Sequence, residues 1–394
     1  MKIKNIHVTL WGGALFCFYF LDAIDKFNRS LGDSKVAFIA RMLTIAIIVC
    51  FFIFKPNILF REKRILYFVI FTSIVMLGYL VSGIYENDSL GQSFYILARY
   101  VSFIIFIYYA HYCLQSCDNS SFIFISRIMV FIFLINCIFA WFGFIFGIEI
   151  LRTYGHIADL EAGWVDQRFG YDGFLLEQNN ATYFYIIGLI ACYWLHSEKR
   201  LNILWLLFGF ISCFIVGTKS LYAAVFLLLI LIIFKKRKTR VLLFSTGSTL
   251  FLCWLLFSTS VIDKVNFTLI DSTLSGRMSN YILHVYPLLE RINLAQIFLG
   301  FQGGDPKKYL VEMEMIDIIL FFGLLGGFMY LFIALKEIFN IIKDSPLKLS
   351  MASIFVIFIV SFFSGHLFYD PVSSYYFVTL VLLVGLNKHR IKGY

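Results

Sequence analysis

Charged side chains within or beside long apolar runs are the first sign of chemistry in this chain. Arg41 and Arg99 each lie about two helical turns inside such a run. Lys219 lies in the short polar segment between two runs, and Asp317 opens another. A charge at the centre of a bilayer costs about 2.5–3.5 kcal/mol on insertion scales, so such residues tend to have a function.

These residue types suit a bound phosphate or diphosphate. Arginine offers a two-pronged donor and lysine a point charge, and both stabilise negative charge that develops on a leaving phosphate. Nearby acids, Glu312, Glu314 and Asp317, could accept a proton from an attacking hydroxyl. The alternative for these acids is a polar helix start, since acids are favoured near a helix N-terminus. For Arg41 and Arg99 taken singly, the alternative is snorkelling towards the membrane surface.

The elements that position these charges are long apolar segments. The 394-residue chain is 60% hydrophobic and only 14% charged, whereas soluble domains have about 25% charged residues. This composition excludes a water-soluble enzyme and predicts an all-α polytopic integral membrane protein, with a single transmembrane domain over residues 1–394. About 12 segments are long enough to be spans or short spans. They are 6–21, 36–54, 65–84, 94–114, 122–148, 178–195, 201–216, 220–234, 241–257, 315–335, 350–364 and 372–387.

The basic residues predict the topology. Lysines and arginines concentrate in alternate loops, which the positive-inside rule assigns to the cytoplasm together with both termini. Two long loops, 149–177 and 258–314, then lie on the outer face and are expected to be functional. Within the second, residues 275–299 predict a helix along the membrane surface, bent or broken at Pro287. Arg41, Arg99, Lys219 and Asp317 then share one depth at the outer face, with no comparable set at the inner face.

Other readings of the composition are less favoured. The net charge of +9 follows membrane topology, and the basic run at 235–240 directly after a span indicates a topology anchor rather than nucleic-acid binding. All eight cysteines fall in or beside apolar runs, which predicts neither a disulfide framework nor a metal site. We therefore expect no metal and no cofactor.

Five short motifs occur in order between about residues 165 and 330. In the first outer loop stands Arg168-Phe169-Gly170-Tyr171-Asp172-Gly173-Phe174, followed by Asn179-Asn180. The others are Gly217-Thr218-Lys219-Ser220, Ser275-Gly276-Arg277, Leu299-Gly300-Phe301-Gln302-Gly303, and the acidic stretch 312–317 followed by Gly323-Leu324-Leu325-Gly326. In this order, the motifs resemble those of the bacterial O-antigen polymerases, which belong to a larger group that includes the O-antigen ligases.

The resemblance implies a GT-C-like fold and a metal-independent, inverting glycosyl transfer at the outer face of the bacterial inner membrane. The growing glycan would leave its undecaprenyl diphosphate carrier and join the next lipid-linked repeat unit. Lys219, Arg277 and Arg168 would bind the diphosphate, and Glu314 or Asp317 would activate the acceptor hydroxyl or orient the sugar. The remaining expected substrate contacts are Arg99, Arg41, Glu312, Asn180 and His366. The partners implied are the undecaprenyl-diphosphate-linked oligosaccharide, membrane lipid and a chain-length regulator protein, without nucleic acid.

Two other functions stay open. The ligases typically carry a histidine late in the large outer loop, where this chain has Glu312 and Glu314, while its His284 lies earlier; this difference favours a polymerase. A flippase for the lipid-linked sugar needs a polar path across the whole membrane, and the predicted charges are one-sided. The sugars, the linkage and the class of surface glycan are not encoded in any of these motifs.

Overall fold

The computed structural model of the protein describes residues 3–30, 62–85, 90–116, 119–153, 170–175, 178–233, 281–290, 292–301, 313–343 and 348–392. Almost all of these residues are helical, so the described part of the chain has an all-α fold. The α-helices, numbered in chain order, are α1 (Ile3–Ser30), α2 (Glu62–Tyr85), α3 (Leu90–Ser116), α4 (Asn119–Phe146), α5 (Gln178–Ser197), α6 (Ile203–Ile215), α7 (Lys219–Ile233), α8 (Tyr286–Glu290), α9 (Leu294–Leu299), α10 (Glu314–Ile342), α11 (Lys348–Ser364) and α12 (Pro371–Lys392).

The helices are those of a membrane-embedded protein. Among the described residues, five helical segments are long and apolar enough to cross a membrane: His7–Asn28, Arg64–Val81, Phe94–Gln115, Ile123–Phe146 and Glu314–Ile342. Shorter apolar helices are Ile203–Ile215, Lys219–Ile230 and Pro371–Leu386. Each apolar segment predicted within the described residues coincides with a helix, whereas the predicted segments 36–54 and 241–257 lie outside them.

The predicted end of the first segment, before Asp22, is wrong. Helix α1 continues to Ser30, and its apolar span reaches Asn28. Asp22 and Lys26 are 0% and 1% exposed, so these charges lie inside the helical bundle rather than in a loop. A charge ends an apolar run in sequence, but it need not end a helix when a partner inside the protein offsets its desolvation.

Two helices form the centre of the bundle. Residues 371–386 of α12 and 180–192 of α5 are buried on every face, as expected for helices that are surrounded by others. Helix α12 packs against α3, α4 and α5. Trp11 of α1 is stacked between the rings of Tyr109 and Tyr375 and donates a hydrogen bond to Thr379 Oγ1. The outer helices expose large apolar side chains such as Phe68, Met76 and Leu80, the surface that lipid chains would cover.

The helices alternate in direction between two ends of the bundle. We call the end that holds Lys26, Arg99, Asn180, Glu314 and Asp370 the site end. The opposite end holds the start of α1 and the end of α12, since His7 contacts Tyr112 and a side chain at Gly385 would meet Leu114. The two termini of the described chain therefore lie at the same end. That this end faces the cytoplasm stays a prediction.

A break divides α10 at the site end. Gly323 has φ +69° and ψ 179°, which interrupts the helix between residues 322 and 324. The last turn of α9 and the residues after it fill this break: Phe301 N–H donates to Leu320 O, and a Cβ on Gly323 would lie 2.4 Å from Phe298 O. The two glycine motifs around Gly300 and Gly323 thus meet, because only glycine allows backbones this close at positive φ.

Two parts of the predicted surface helix, 281–290 and 292–299, lie within the described residues. A π-helical turn, Tyr281–Val285, continues directly into α8, which contains Pro287. Asn293 caps α9 with its side chain, and Gln296 reciprocates. The capping box starts a new helix there. The remainder of 275–299 lies outside the described residues.

Candidate functional site

The turn between α11 and α12, residues 365–370, lies at the centre of the site end. Gly365 and His366 both have φ +64°, which is uncommon for histidine and reverses the chain sharply. Tyr183 of α5 donates a 2.6 Å hydrogen bond to Gly365 O. The strained histidine is only partly buried, whereas Leu367 and Phe368 beside it are fully buried.

Glu314, predicted as a catalytic acid, anchors this turn. Its Oε1 accepts hydrogen bonds from Phe368 N–H at 2.9 Å and Tyr369 N–H at 3.0 Å, and the residue is 1% exposed. Its Oε2 has no hydrogen-bond partner among the described residues. His366 interacts electrostatically with the same carboxylate. Glu314 therefore has one oxygen that holds the backbone of the turn, while its second oxygen is buried without a hydrogen bond from the described residues.

Arg99, predicted to contact substrate, holds the turn from the side of α3. Its Nε donates to Tyr369 O at 3.1 Å, and Nη2 donates to Asp370 Oδ1 at 3.0 Å. The guanidinium also lies 3.9 Å from the centre of the Tyr369 ring. Asp370 Oδ2 in turn accepts from Val372 N–H and Ser373 N–H and so caps α12. The guanidinium is thus engaged with protein groups in this structure.

Helix α5 connects the turn to the hairpin of residues 217–220. Ser373 donates a 2.7 Å hydrogen bond to Asn180 Oδ1. Two residues later, the Thr182 hydroxyl lies 3.2 Å from Thr218 Oγ1 and 3.1 Å from Ser220 Oγ. Lys219 itself is exposed and begins α7. The predicted residues Asn180 and Lys219 are therefore linked through one turn of α5.

The motif at residues 170–174 packs directly against this hairpin. Tyr171 N–H donates to Ile215 O at 2.8 Å, and the Thr153 hydroxyl donates to Val216 O at 2.8 Å. A Cβ on Gly170, at φ +143°, would lie 2.1 Å from Val216 O. Thr153 and Tyr171 thereby supply hydrogen-bond donors to carbonyls at the C-terminal end of α6, where no further helical turn provides N–H donors.

Lys26 is the main site-end residue that the sequence analysis missed. Its Nζ donates to Asp172 Oδ1 at 2.5 Å, Gly173 O at 2.7 Å and Arg152 O at 2.9 Å. Burial raises the pKa of the Asp172 carboxyl, and the Lys26 ammonium opposes that rise. The sequence does contain a signal, because Asp22 and Lys26 are four residues apart and so share one helix face.

The opposite end also contains buried charge, contrary to our expectation. Arg64 Nε donates to Glu337 Oε1 at 3.0 Å, and Nη2 lies 2.5 Å from Oε2. His111 Nδ1 lies 3.6 Å from the same carboxylate. These residues come from α2, α10 and α3, and their contact could not be predicted because they are far apart in sequence. The charges of the described chain are therefore not one-sided, although Arg64 and His111 both lie beside the Glu337 carboxylate.

The remaining predicted residues divide into two groups. Asp317 is 4% exposed and lies one turn after Glu314, on the short half of α10 before the break. Four predicted residues lie outside the described part of the chain: Arg41, Arg168, Arg277 and Glu312. Within the described ranges, no group of three or more histidine, cysteine, aspartate or glutamate side chains could hold a metal ion.

Comparison with known proteins adds no family. No protein-family model, no curated protein and no solved structure matches this chain. What the chain shows by itself is an all-α membrane-embedded protein with a polar site end. There, an exposed lysine, a buried carboxylate, a partly exposed histidine and small hydroxyl groups are supported by the ion pairs of Lys26 with Asp172 and of Arg99 with Asp370. Such groups can bind an anionic headgroup and transfer a proton.

Proposed function

We propose that this protein is a membrane glycosyltransferase that polymerises oligosaccharide repeat units linked to undecaprenyl diphosphate, at the outer face of the bacterial inner membrane. The observation behind the proposal is the meeting of separate motif segments at the site end. Residues 170–173 pack on the hairpin that contains Lys219, and Glu314 begins the half-helix that ends at Gly323. Motifs far apart in sequence thus belong to one region, as a shared reaction would require.

The apolar surroundings and the positive groups fit a lipid diphosphate. Undecaprenyl chains would lie along the exposed apolar helices, and the diphosphate would remain at headgroup depth near Lys219. In the proposed step, the acceptor hydroxyl oxygen attacks the anomeric carbon of the growing glycan. The bond from that carbon to the diphosphate oxygen breaks, and the diphosphate leaves with the electron pair. Lys219, with Arg277 and Arg168, would stabilise this negative charge.

The hydroxyl proton needs an acceptor at the same site. Glu314 and His366 are the best candidates for this acceptor, because the histidine is partly exposed and its charge acts on the buried carboxylate. Histidine and glutamate are both common proton acceptors in catalysis. Asp317 is the other candidate, one turn further along α10. Arg99 and Asn180 are then positioning residues, since both act through the 365–370 turn and α12.

A gel of surface lipopolysaccharide tests the proposed function in cells. A strain that lacks this gene should carry core capped by one repeat unit, and a plasmid copy should restore the polymer ladder. An unchanged ladder, or uncapped core alone, would contradict polymerisation. In the case of uncapped core, lipid-linked glycan that accumulates on the outer face indicates a ligase, and on the inner face a flippase.

A further inference from the structure

Lys26 is almost completely buried and binds two backbone carbonyls as well as a carboxylate. Its three acceptors are Arg152 O, Gly173 O and Asp172 Oδ1, and its side chain is 2% exposed. Arg152 and Gly173 belong to the two segments on either side of residues 154–169. We call these two segments, 149–153 and 170–175, the stem. One ammonium group therefore joins both segments of the stem to the end of α1.

Other hydrogen bonds pair the two segments of the stem and attach it to α4. Thr153 N–H donates to Gly170 O at 3.0 Å and Gly173 N–H donates to Leu151 O at 3.3 Å, which pairs the two segments. Asn136 of α4 donates to Asp172 O at 2.7 Å and accepts from Phe174 N–H at 3.0 Å. Lys26 adds three hydrogen bonds from a charged donor, and hydrogen bonds to charged groups are the stronger class.

The stem in turn supports the hairpin of residues 217–220. Two of its donors, Tyr171 N–H and the Thr153 hydroxyl, bind Ile215 O and Val216 O just before the hairpin. Gly170 contacts the backbone of Val216 so closely that no side chain fits between them. A displacement of the stem would therefore remove partners from the last carbonyls of α6 and release the segment that holds Lys219.

We propose that Lys26 is a positioning residue for the proposed glycosyl transfer: its ammonium group clamps the stem, and the clamped stem fixes the hairpin that presents Lys219 to the diphosphate. The role of Lys219 in this inference rests on the proposed function. The structural support that Lys26 gives to the hairpin through the stem does not depend on the proposed function.

The clamp can be tested by amide hydrogen exchange of the purified full-length protein in lipid nanodiscs. In Lys26→Met, the amides of Thr153, Tyr171 and Gly173 should exchange about ten- to a hundredfold faster than in the wild type, because three hydrogen bonds from a charged donor are lost. Amides of α2 and α10 near the opposite end should not change. Arg64→Met is the matched control, since it removes a charged pair at that end and should accelerate exchange only there.

Two further variants separate a clamp from a simple ion pair. Lys26→Arg keeps a charged multiple donor and should restore slow exchange at least in part. The exchanged pair Lys26→Asp with Asp172→Lys keeps the opposite charges but cannot donate from position 26 to Arg152 O and Gly173 O. This double variant should therefore not restore slow exchange. If Lys26→Met does not accumulate, Lys26→Gln replaces it, because its amide retains two donors.

The outcomes distinguish the clamp from the proposed function. Unchanged exchange at the stem, equal acceleration at both ends, or full recovery in the exchanged pair would each overturn the clamp. If the wild type polymerises lipid-linked repeat units and Lys26→Met does so equally well despite faster stem exchange, the positioning role is refuted. If the wild type itself forms no polymer, the proposed function fails, and the exchange data still decide whether Lys26 clamps the stem.

Discussion

Glu314 offers the sharpest separation between a structural and a chemical role at the site end. Its Oε1 accepts from the buried amides of Phe368 and Tyr369. In Glu314→Ala both donors lose their acceptor, and each unsatisfied buried group costs about 1–3 kcal/mol, so we expect a loss of about 2–6 kcal/mol in the free energy of unfolding. Glu314→Gln retains a neutral acceptor of similar shape, which is roughly half as strong as a charged one.

The two variants should therefore differ in stability and agree in activity. We expect Glu314→Gln to keep nearly the wild-type Tm in detergent and Glu314→Ala to lower it markedly. Without the Glu314 carboxylate, both should form polymer about 10²–10⁴-fold more slowly, the usual contribution of general acid–base catalysis. The assays are thermal unfolding and initial rates of chain extension with lipid-linked repeat units. Undiminished rates in Glu314→Gln would refute the chemical role and leave Glu314 as a turn anchor only.

Three further predictions concern other parts of the site end. Gly323→Ala should lower the unfolding free energy by at least about 2 kcal/mol, because its backbone conformation is nearly restricted to glycine and its Cβ would meet Phe298 O. Thermal unfolding measures this loss. Gly13→Ala is the control, because the space around its Cβ is open. Lys219→Ala should abolish most chain extension with little change in Tm, since the side chain is exposed, and a normal rate would remove it from the site. Lys26→Met should be least stable, relative to wild type, at high pH. Without the Lys26 ammonium, the pKa of the Asp172 carboxyl in the folded protein lies further above its value in the unfolded chain. The carboxyl therefore contributes stability that is present at low pH and lost as the pH rises through the folded pKa. Unfolding free energies measured from about pH 6 to about pH 8 test the sign of this pH dependence.

The sequence predicted the helices well where apolar runs are long and clean. Segments such as 122–148 and 178–195 match α4 and α5 closely, because burial in lipid or protein demands continuous helix. The prediction failed at the end of α1, because the charged residues Asp22 and Lys26 are typical of a loop after a span but lie within the helix. The desolvation of Lys26 is offset by Asp172, which is 146 residues away, and no local pattern reveals such a partner.

The candidate site was only partly predictable for the same reason. The sequence identified Glu314, Asn180 and Lys219 as unusual, yet it did not indicate that Glu314 binds the 365–370 turn. The contact between Gly300 and Gly323 and the pair of Arg64 with Glu337 likewise depend on tertiary packing. Residue types thus indicated the chemistry, while the supporting ion pairs and glycine contacts required the structure.

The most direct test of the central proposal is reconstitution. Purified protein in proteoliposomes would be supplied with undecaprenyl-diphosphate-linked repeat units as the only substrate, without added metal or second enzyme. We expect a ladder of lipid-linked polymers together with one released undecaprenyl diphosphate for each bond formed, and neither product with Lys219→Ala. Intact repeat units that merely move across the bilayer, or that remain unchanged, would contradict the assignment as a polymerase.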